Sequence, residues 1–224
     1  MTTPPPRLPD HIHPGVRVLF VGINPGIRSA QIGHHFAGYS NRFWKLLHES
    51  GLVPEAIGPE DDWRLPEWGY GITNLVARPT PGIGDLDPRE YQAGRRRLLA
   101  KIGRFRPEVV ALTGVTLYRA LFAAGRAATV GRPGSADSAG QAGGAGKARL
   151  QDRRASSRRR AVLGLQPETL AGAAVFVLPN PSGRNANFTY AEMLAAFRAL
   201  KHHRSVGSGL ELPVFSRPGT SKLP

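Results

Sequence analysis

Apolar and polar positions alternate along the chain between short solid runs and helical stripes. Val16–Val21 (VRVLFV) is a β-branched apolar run ending at Gly22, the pattern of a buried strand. Asn41 stands where a helix cap is expected, before the apolar positions Phe43, Trp44, Leu46 and Leu47, and Gly51 supplies the stop. Residues 52–70 are turn-rich, with a short helix predicted near 60–64. Asp87-Pro88 is a helix-opening pair, and the stripe Leu98, Leu99, Ile102 carries that helix to about Arg104. Pro107–Thr113 (PEVVALT) reads as a second buried strand, followed by a helix from Gly114 to about Ala124. Ala174–Leu178 (AVFVL) reads as a third and ends in Pro179-Asn180-Pro181-Ser182-Gly183. Thr189 then caps a helix through Met193, Leu194, Phe197 and Leu200. Strands alternating with helices predict an α/β fold with a mostly parallel sheet. Ligands of such sheets bind beyond the carboxyl ends of the strands, where two of these three strands run into Asn/Pro/Gly loops.

The pattern fails at three places. Residues 1–14 are Pro-rich and predict an extended, disordered lead-in, and residues 203–224 have no periodicity and predict a loose tail. Residues 125–160 are rich in Gly, Ala, Ser and Arg, with nine basic residues against two acidic ones, and predict a disordered basic insertion. Two readings of that insertion stay open: a tolerated low-complexity segment, or an arm that adds phosphate contacts. The organisation expected is therefore one domain over 15–202, interrupted at 125–160.

Charge changes the picture more than composition does. A net charge of +14 and a sequence pI of about 11.2 favour a polyanionic partner, nucleic acid first. Arginine outnumbers lysine, 25 to 5, which suits bidentate phosphate contacts. The chain has no cysteine, which excludes disulfides, thiolate zinc sites and cysteine-held iron–sulfur clusters. No run approaches the roughly 18 apolar residues of a membrane span, and no apolar signal-type stretch stands at the start. A cytoplasmic, monomeric protein without membrane contact is expected.

The loop Gly22-Ile23-Asn24-Pro25-Gly26 matches neither the GxxxxGK[ST] nor the GxGxxG phosphate-binding pattern. Taken alone it is an ordinary strand-end turn. Its company is more informative: VLFVGINPGIRSAQIGHHFAGYSNRFWKLLHESGL, GYGITNLVARPTPGIGDL, EYQAGRRRLLAKIGRFRPEVVALTGVTLYRALF, GLQPETL and VFVLPNPSGRNANF follow one another over about 16–124 and 163–201. In that order they resemble the mismatch-specific uracil/thymine-DNA glycosylases, the second family of the uracil-DNA glycosylase superfamily. The resemblance implies a three-layer α/β/α sandwich around a central, mostly parallel four-stranded sheet. It also implies a monofunctional enzyme that needs no cofactor and no metal. Its partner is double-stranded DNA, from whose G mismatches it flips uracil, with thymine or other modified pyrimidines as further substrates.

Residue by residue, the resemblance makes Asn24 the group that positions the hydrolytic water. Gly22, Ile23, Pro25, Gly26, Phe36, Asn74 and Thr80 become the base pocket, with Phe36 stacking on the extruded ring. Asn180, Pro181, Ser182, Gly183, Arg184 and Asn185 become the loop that enters the minor groove, with Arg184 at the wedge position. An amide can hold a water but cannot take its proton as a carboxylate would. Slow chemistry that leans on the acidity of the leaving pyrimidine is therefore expected. His34 and His35 are assigned no catalysis, and Asp85 and Asp87 are the acids nearest a candidate loop. The rival expectation is a nucleic-acid-binding protein that keeps the fold without turnover.

Overall fold

The computed structural model describes residues 8–126 and 162–207. Most of the basic insertion and the last part of the tail lie outside them. Five strands form one sheet: β1 (Val18–Gly22), β2 (Tyr70–Asn74), β3 (Val109–Thr113), β4 (Gly164–Leu170) and β5 (Ala173–Leu178), in the order β2-β1-β3-β5-β4. The first four in that order are mutually parallel, and β4 pairs antiparallel with β5 at the edge. The helices are α1 (Ile27–Ile32), α2 (Phe43–Glu49), α3 (Pro88–Phe105), α4 (Val115–Arg126) and α5 (Tyr190–Gly207), with a 3-10 helix over Pro59–Trp68.

The strand residues alternate between two cores, which is why the domain has three layers. Val18, Phe20, Val109, Ala111, Phe176 and Leu178 face α2, the 3-10 helix and α5, where Phe43, Leu47, Leu65 and Phe197 complete the packing. Leu19, Val21, Val110, Leu112, Val175 and Val177 face α3 and α4, against Leu98, Ile102, Leu117 and Leu121. Both faces of the central strands are covered, so these strands read as solid apolar runs rather than alternating ones.

The sheet is mostly parallel, as the resemblance implies, but it has five strands rather than the four expected. β4 carries Pro167 and shifts register between Leu165 and Thr169. Proline cannot donate to a ladder, so a strand containing it is confined to an edge or a bulge. β2 lies within a stretch that apolar periodicity alone does not mark as a strand. Its Gly71 sits under Val16, where a Cβ would come 3.0 Å from Val16 Cγ2. Asn41 precedes the N-cap Arg42, and its Oδ1 accepts from Phe43 N at 3.0 Å. Asp87 caps α3 as expected, with Glu90 closing a capping box.

Two segments read from the sequence as loose are ordered in part. His11 exchanges backbone hydrogen bonds with Ile72 on the outer edge of β2, and Asp10 bonds Thr73 and Lys101. The expected lead-in over 1–14 is thus, from Leu8 onward, a strap on the sheet edge. α5 continues to Gly207, past the expected domain end at 202. No helix among the described residues is long and apolar enough to cross a membrane.

Candidate active site

Strand order reverses between β1 and β3, and the loops leaving β1, β2, β3 and β5 meet above that point. Such a switch point is where open α/β sheets bind ligands. Here it holds a cavity of about 730 Å³ lined from the carboxyl ends of β1, β2 and β3 and the loops after β1, β2 and β5, by Asn24, Asn74, Thr80, Thr113, Asn180 and Arg184 among others. The tip of the first strand and the loop beyond the last therefore face one space.

Asn24 is fixed through its nitrogen. Nδ2 donates to Thr80 Oγ1 at 2.7 Å and to the carbonyls of Pro25 and Arg78, both at 3.2 Å. Thr80 spends its one hydroxyl proton on Gly82 O at 2.5 Å, so toward Asn24 it can only accept. All three partners are acceptors, which settles the amide's orientation. Oδ1 accepts from none of the described residues and remains for a ligand or a water.

The floor of the cavity needs a glycine. A Cβ on Gly22 would come within 2.4 Å of Asn74 Oδ1 and 3.4 Å of Phe36 Cζ. Phe36 stacks on Phe43 with centroids 4.2 Å apart and also lines the cavity. It holds φ of 51°, a left-handed conformation that costs a bulky residue about 1–2 kcal/mol. The residues on either side pin it: His35 N donates to Asp62 Oδ2 at 2.8 Å and Ala37 N to Ser29 Oγ at 3.0 Å. Strain held this way by its surroundings is characteristic of ligand sites.

Asp62 is 1% exposed and anchors the approach to Phe36. His34 Nδ1 lies 3.1 Å from its Oδ1. His11 Nε2 comes within 3.2 Å of the same oxygen, as a close approach rather than an aligned hydrogen bond. Burial raises the Asp62 carboxyl, but the contacts with His11, the His35 amide and His34 outweigh it and hold the group below its usual value. His35, also 1% exposed, is pushed down to about 4 by burial, against the raising effect of its bond to the Pro9 carbonyl. His11, His35 and Asp62 bring one ligand atom each within 4.8 Å of one another. A tetrahedral zinc needs ligand atoms about 3.4 Å apart, given metal bonds near 2.1 Å. Both ring nitrogens of His35 are also spoken for, by Pro9 O at 2.8 Å and Asn74 Nδ2 at 3.3 Å. We read the group as hydrogen-bonded support for the pocket.

The loop after β5 is tied together by its own side chains. Asn180 Oδ1 accepts from Ser182 N at 3.0 Å, and Asn185 Nδ2 donates to Asn180 O at 2.8 Å. Pro181 O accepts from Arg42 N at 2.9 Å. Gly183 passes over Ser40, where a Cβ would fall 2.4 Å from Ser40 Cβ. Arg184 is exposed and reaches Pro81 O at 3.4 Å.

Of the residues expected in the site, Gly22, Ile23, Asn24, Pro25, Gly26, Phe36, Asn74, Thr80, Asn180, Ser182 and Arg184 line the one cavity. Pro181, Gly183 and Asn185 are not among its lining and shape the loop instead. Trp44 is a core residue whose Nε1 donates to His35 O at 3.1 Å, and Arg78 is paired with Glu90 at 2.7 Å. Asp85 turns to Gly82 N and Asp87 to the α3 cap. Among the described residues no carboxylate and no lysine lines the cavity.

Arg28 and Tyr39 were not foreseen. Tyr39 is 90% exposed at the rim, with the Arg28 guanidinium 3.8 Å from its ring centroid. The sequence held only one hint, an aromatic among Gly and Ser with an arginine upstream.

The model of the uracil DNA glycosylase superfamily matches residues 9–201. The chain belongs to that superfamily. Membership brings DNA glycosylase activity on uracil, a hydrolase reaction within DNA repair, with DNA as the partner. The matched span starts within the strap on β2 and ends in α5, so it takes in every element that lines the cavity.

Proposed function

We propose that this glycosylase is monofunctional and mismatch-directed: it extrudes uracil from G·U pairs and hydrolyses the bond from C1′ to N1. The observation that carries the proposal is Asn24, its nitrogen held by Thr80 and two carbonyls, sharing one cavity with Asn74, Phe36 and Arg184. A paired base is out of reach, and a mismatched one costs less to extrude, which itself favours G·U over A·U.

In the proposed reaction Asn24 Oδ1 accepts from a water placed below C1′. The C1′–N1 bond breaks as positive charge grows on the sugar, and the electron pair leaves with the base as its N1 anion. The water oxygen bonds to C1′ and releases its proton to solvent, leaving an abasic site and free uracil. With no carboxylate in the lining to take that proton, the rate depends on the stability of the leaving anion. Substrates with acidic N1 positions, uracil and its electron-poor derivatives, are therefore favoured over thymine. The lack of a lysine in the lining supports hydrolysis over an imine-forming, strand-cleaving route. Arg184 fills the space vacated by the extruded nucleotide, its planar guanidinium stacking between neighbouring bases.

The test is a panel of duplexes, each with one lesion opposite guanine. Purified protein should leave alkali-labile sites at uracil, cut no strand without alkali, and act faster on G·U than on A·U. Tight duplex binding without base release would favour the non-catalytic alternative.

A further inference from the structure

Helix α3 carries six basic residues, Arg89, Arg95, Arg96, Arg97, Lys101 and Arg104, against the single acid Glu90. Glu90 is committed to Arg78 and Lys101 to Asp10. The five arginines are exposed and form no salt bridge among the described residues. Gly94, Leu98 and Ile102 turn to the core, which puts Arg89, Arg96, Arg97 and Arg104 on the outer side. There Arg89 and Arg96 make one row and Arg97 and Arg104 another, with a spacing of two turns, about 10.5 Å, within each. Such crowding works against the helix. Arg97 and Lys101 are like charges one turn apart, and Arg89 sits in the first turn, where the macrodipole disfavours a cation. The other cover of the sheet has the reverse balance: the 3-10 helix over Pro59–Trp68 carries Glu60, Asp61, Asp62 and Glu67 against Arg64. The basic cover adjoins the cavity mouth. Pro81 and Gly82 line the cavity, Arg184 reaches Pro81 O at 3.4 Å, and the same loop runs through Asp85, bonded to Gly82 N, into the Asp87 cap of α3. Gly94 lies against the end of β2, where a Cβ would fall 2.4 Å from Leu75 O, so Arg89–Arg97 occupy the half of α3 nearest the mouth.

We propose that the outer face of α3 is a second DNA-binding surface: Arg89, Arg96 and Arg97 neutralise phosphates of the duplex arm that leaves the cavity on the Pro81 side. From Arg89 to Arg97 the helix rises about 12 Å, the length of three or four phosphates at about 3.4 Å per strand. The planar guanidinium grips phosphate oxygens in pairs, which suits arginine rather than lysine for this task. Phosphate contacts carry no sequence information, so the arm is held whatever its sequence and only the cavity inspects the base. The acidic 3-10 helix offers no such track, so the contact is one-sided. The inference rests on the glycosylase reading of the cavity, because the extruded nucleotide is what anchors the duplex beside α3.

The test measures binding, so it does not depend on turnover. A duplex of one helical turn carries non-cleavable 2′-fluoroarabinouridine opposite guanine at its centre. It is then lengthened on one side of the lesion or on the other by about eight base pairs, the length of α3. At low salt the wild type should gain about tenfold in affinity or more from the extension on one side, the scale of three phosphate contacts. The triple variant Arg89→Gln, Arg96→Gln, Arg97→Gln should lose that gain to within about twofold and keep whatever the other side contributes. On the favoured duplex its slope of log Kd against log salt should be shallower by about two to three. The matching triple change to lysine, which keeps the charge, should retain most of the gain. A glutamine variant with the wild-type dependence on length overturns the proposal and leaves the face to solvent or to an acidic protein. Equal losses on the two sides also overturn it, because they mark a general effect of net charge rather than a local contact. Failure of the wild type to prefer the short lesion duplex over a lesion-free one would instead sink the glycosylase reading itself.

Discussion

Replacing Thr80 by valine keeps the shape of a side chain that is 3% exposed and removes its hydroxyl. Asn24 Nδ2 then loses its shortest partner, at 2.7 Å, and keeps two carbonyls at 3.2 Å. The hydroxyl also donates to Gly82 O at 2.5 Å, so two part-buried neutral hydrogen bonds are lost, which costs about 2 kcal/mol, or roughly 4–8 °C in Tm for a domain of this size. The kinetic effect has a separate origin. A displacement of about 1 Å at a reacting group costs on the order of 100-fold in rate, and loosening one of three tethers permits part of that. The single-turnover rate of uracil release from a G·U duplex should fall about 10- to 100-fold, with the Kd for duplex within about twofold of wild type. Thr80→Ser, which keeps the hydroxyl, should stay within about threefold of the wild-type rate. A Thr80→Val enzyme as fast as wild type would mean that Thr80 does not hold the Asn24 amide, and the description of the water site would be wrong.

Other consequences follow from single contacts. Gly22→Ala should lower uracil release by at least about 100-fold and cost about 1–3 kcal/mol of stability, because its Cβ would fall 2.4 Å from Asn74 Oδ1; parallel rate and urea-melt measurements check both, and a fully active variant would contradict the close approach. His35 titrates near 4 when folded, against 6.5 when unfolded, with Asp62, His11 and Asp10 as the charged or titratable groups about it. Because the unfolded chain binds that proton first, stability from this group is full above pH 6.5 and declines as pH falls toward 4, by an order of 3 kcal/mol at most. Urea midpoints across that window should drop in the wild type and drop less in His35→Asn; parallel curves would remove His35 as the source. With a net charge of +14, kcat/KM on duplex should fall roughly tenfold or more between 50 and 200 mM salt, and a flat response would contradict phosphate-dominated binding.

The central strands were legible because both faces are covered. Val18–Val21, Val109–Leu112 and Val175–Leu178 are solid apolar runs that no surface strand would carry. β2 escaped the periodicity because its sequence, YGITN, spends its positions on the site and on close packing: Gly71 against Val16, Thr73 on the strap and Asn74 in the pocket. β4 escaped because an edge strand tolerates Pro167 and alternates in burial. The strap at Pro9–Ile12 is held by backbone hydrogen bonds to β2, which leave no mark on side-chain composition.

Within the site, Asn24, Phe36 and Asn74 were named through the resemblance, since an Asn in a turn carries no signal of its own. The partners that orient them were not legible. Thr80 lies 56 residues from Asn24 and His35 lies 39 from Asn74, so only the fold brings donor and acceptor together. Asp62 was hidden for the same reason, as one acid in an acidic, exposed-looking segment that turns out to be 1% exposed.

The most direct measurement pairs chemistry with binding for Asn24→Ala. Single-turnover uracil release from a G·U duplex should fall by about 10²–10³, the scale of removing one polar group that acts at the reacting centre, while affinity for a duplex with non-cleavable 2′-fluoroarabinouridine stays within about threefold. Undiminished release by that variant would show that the carboxamide at the end of β1 does not place the water.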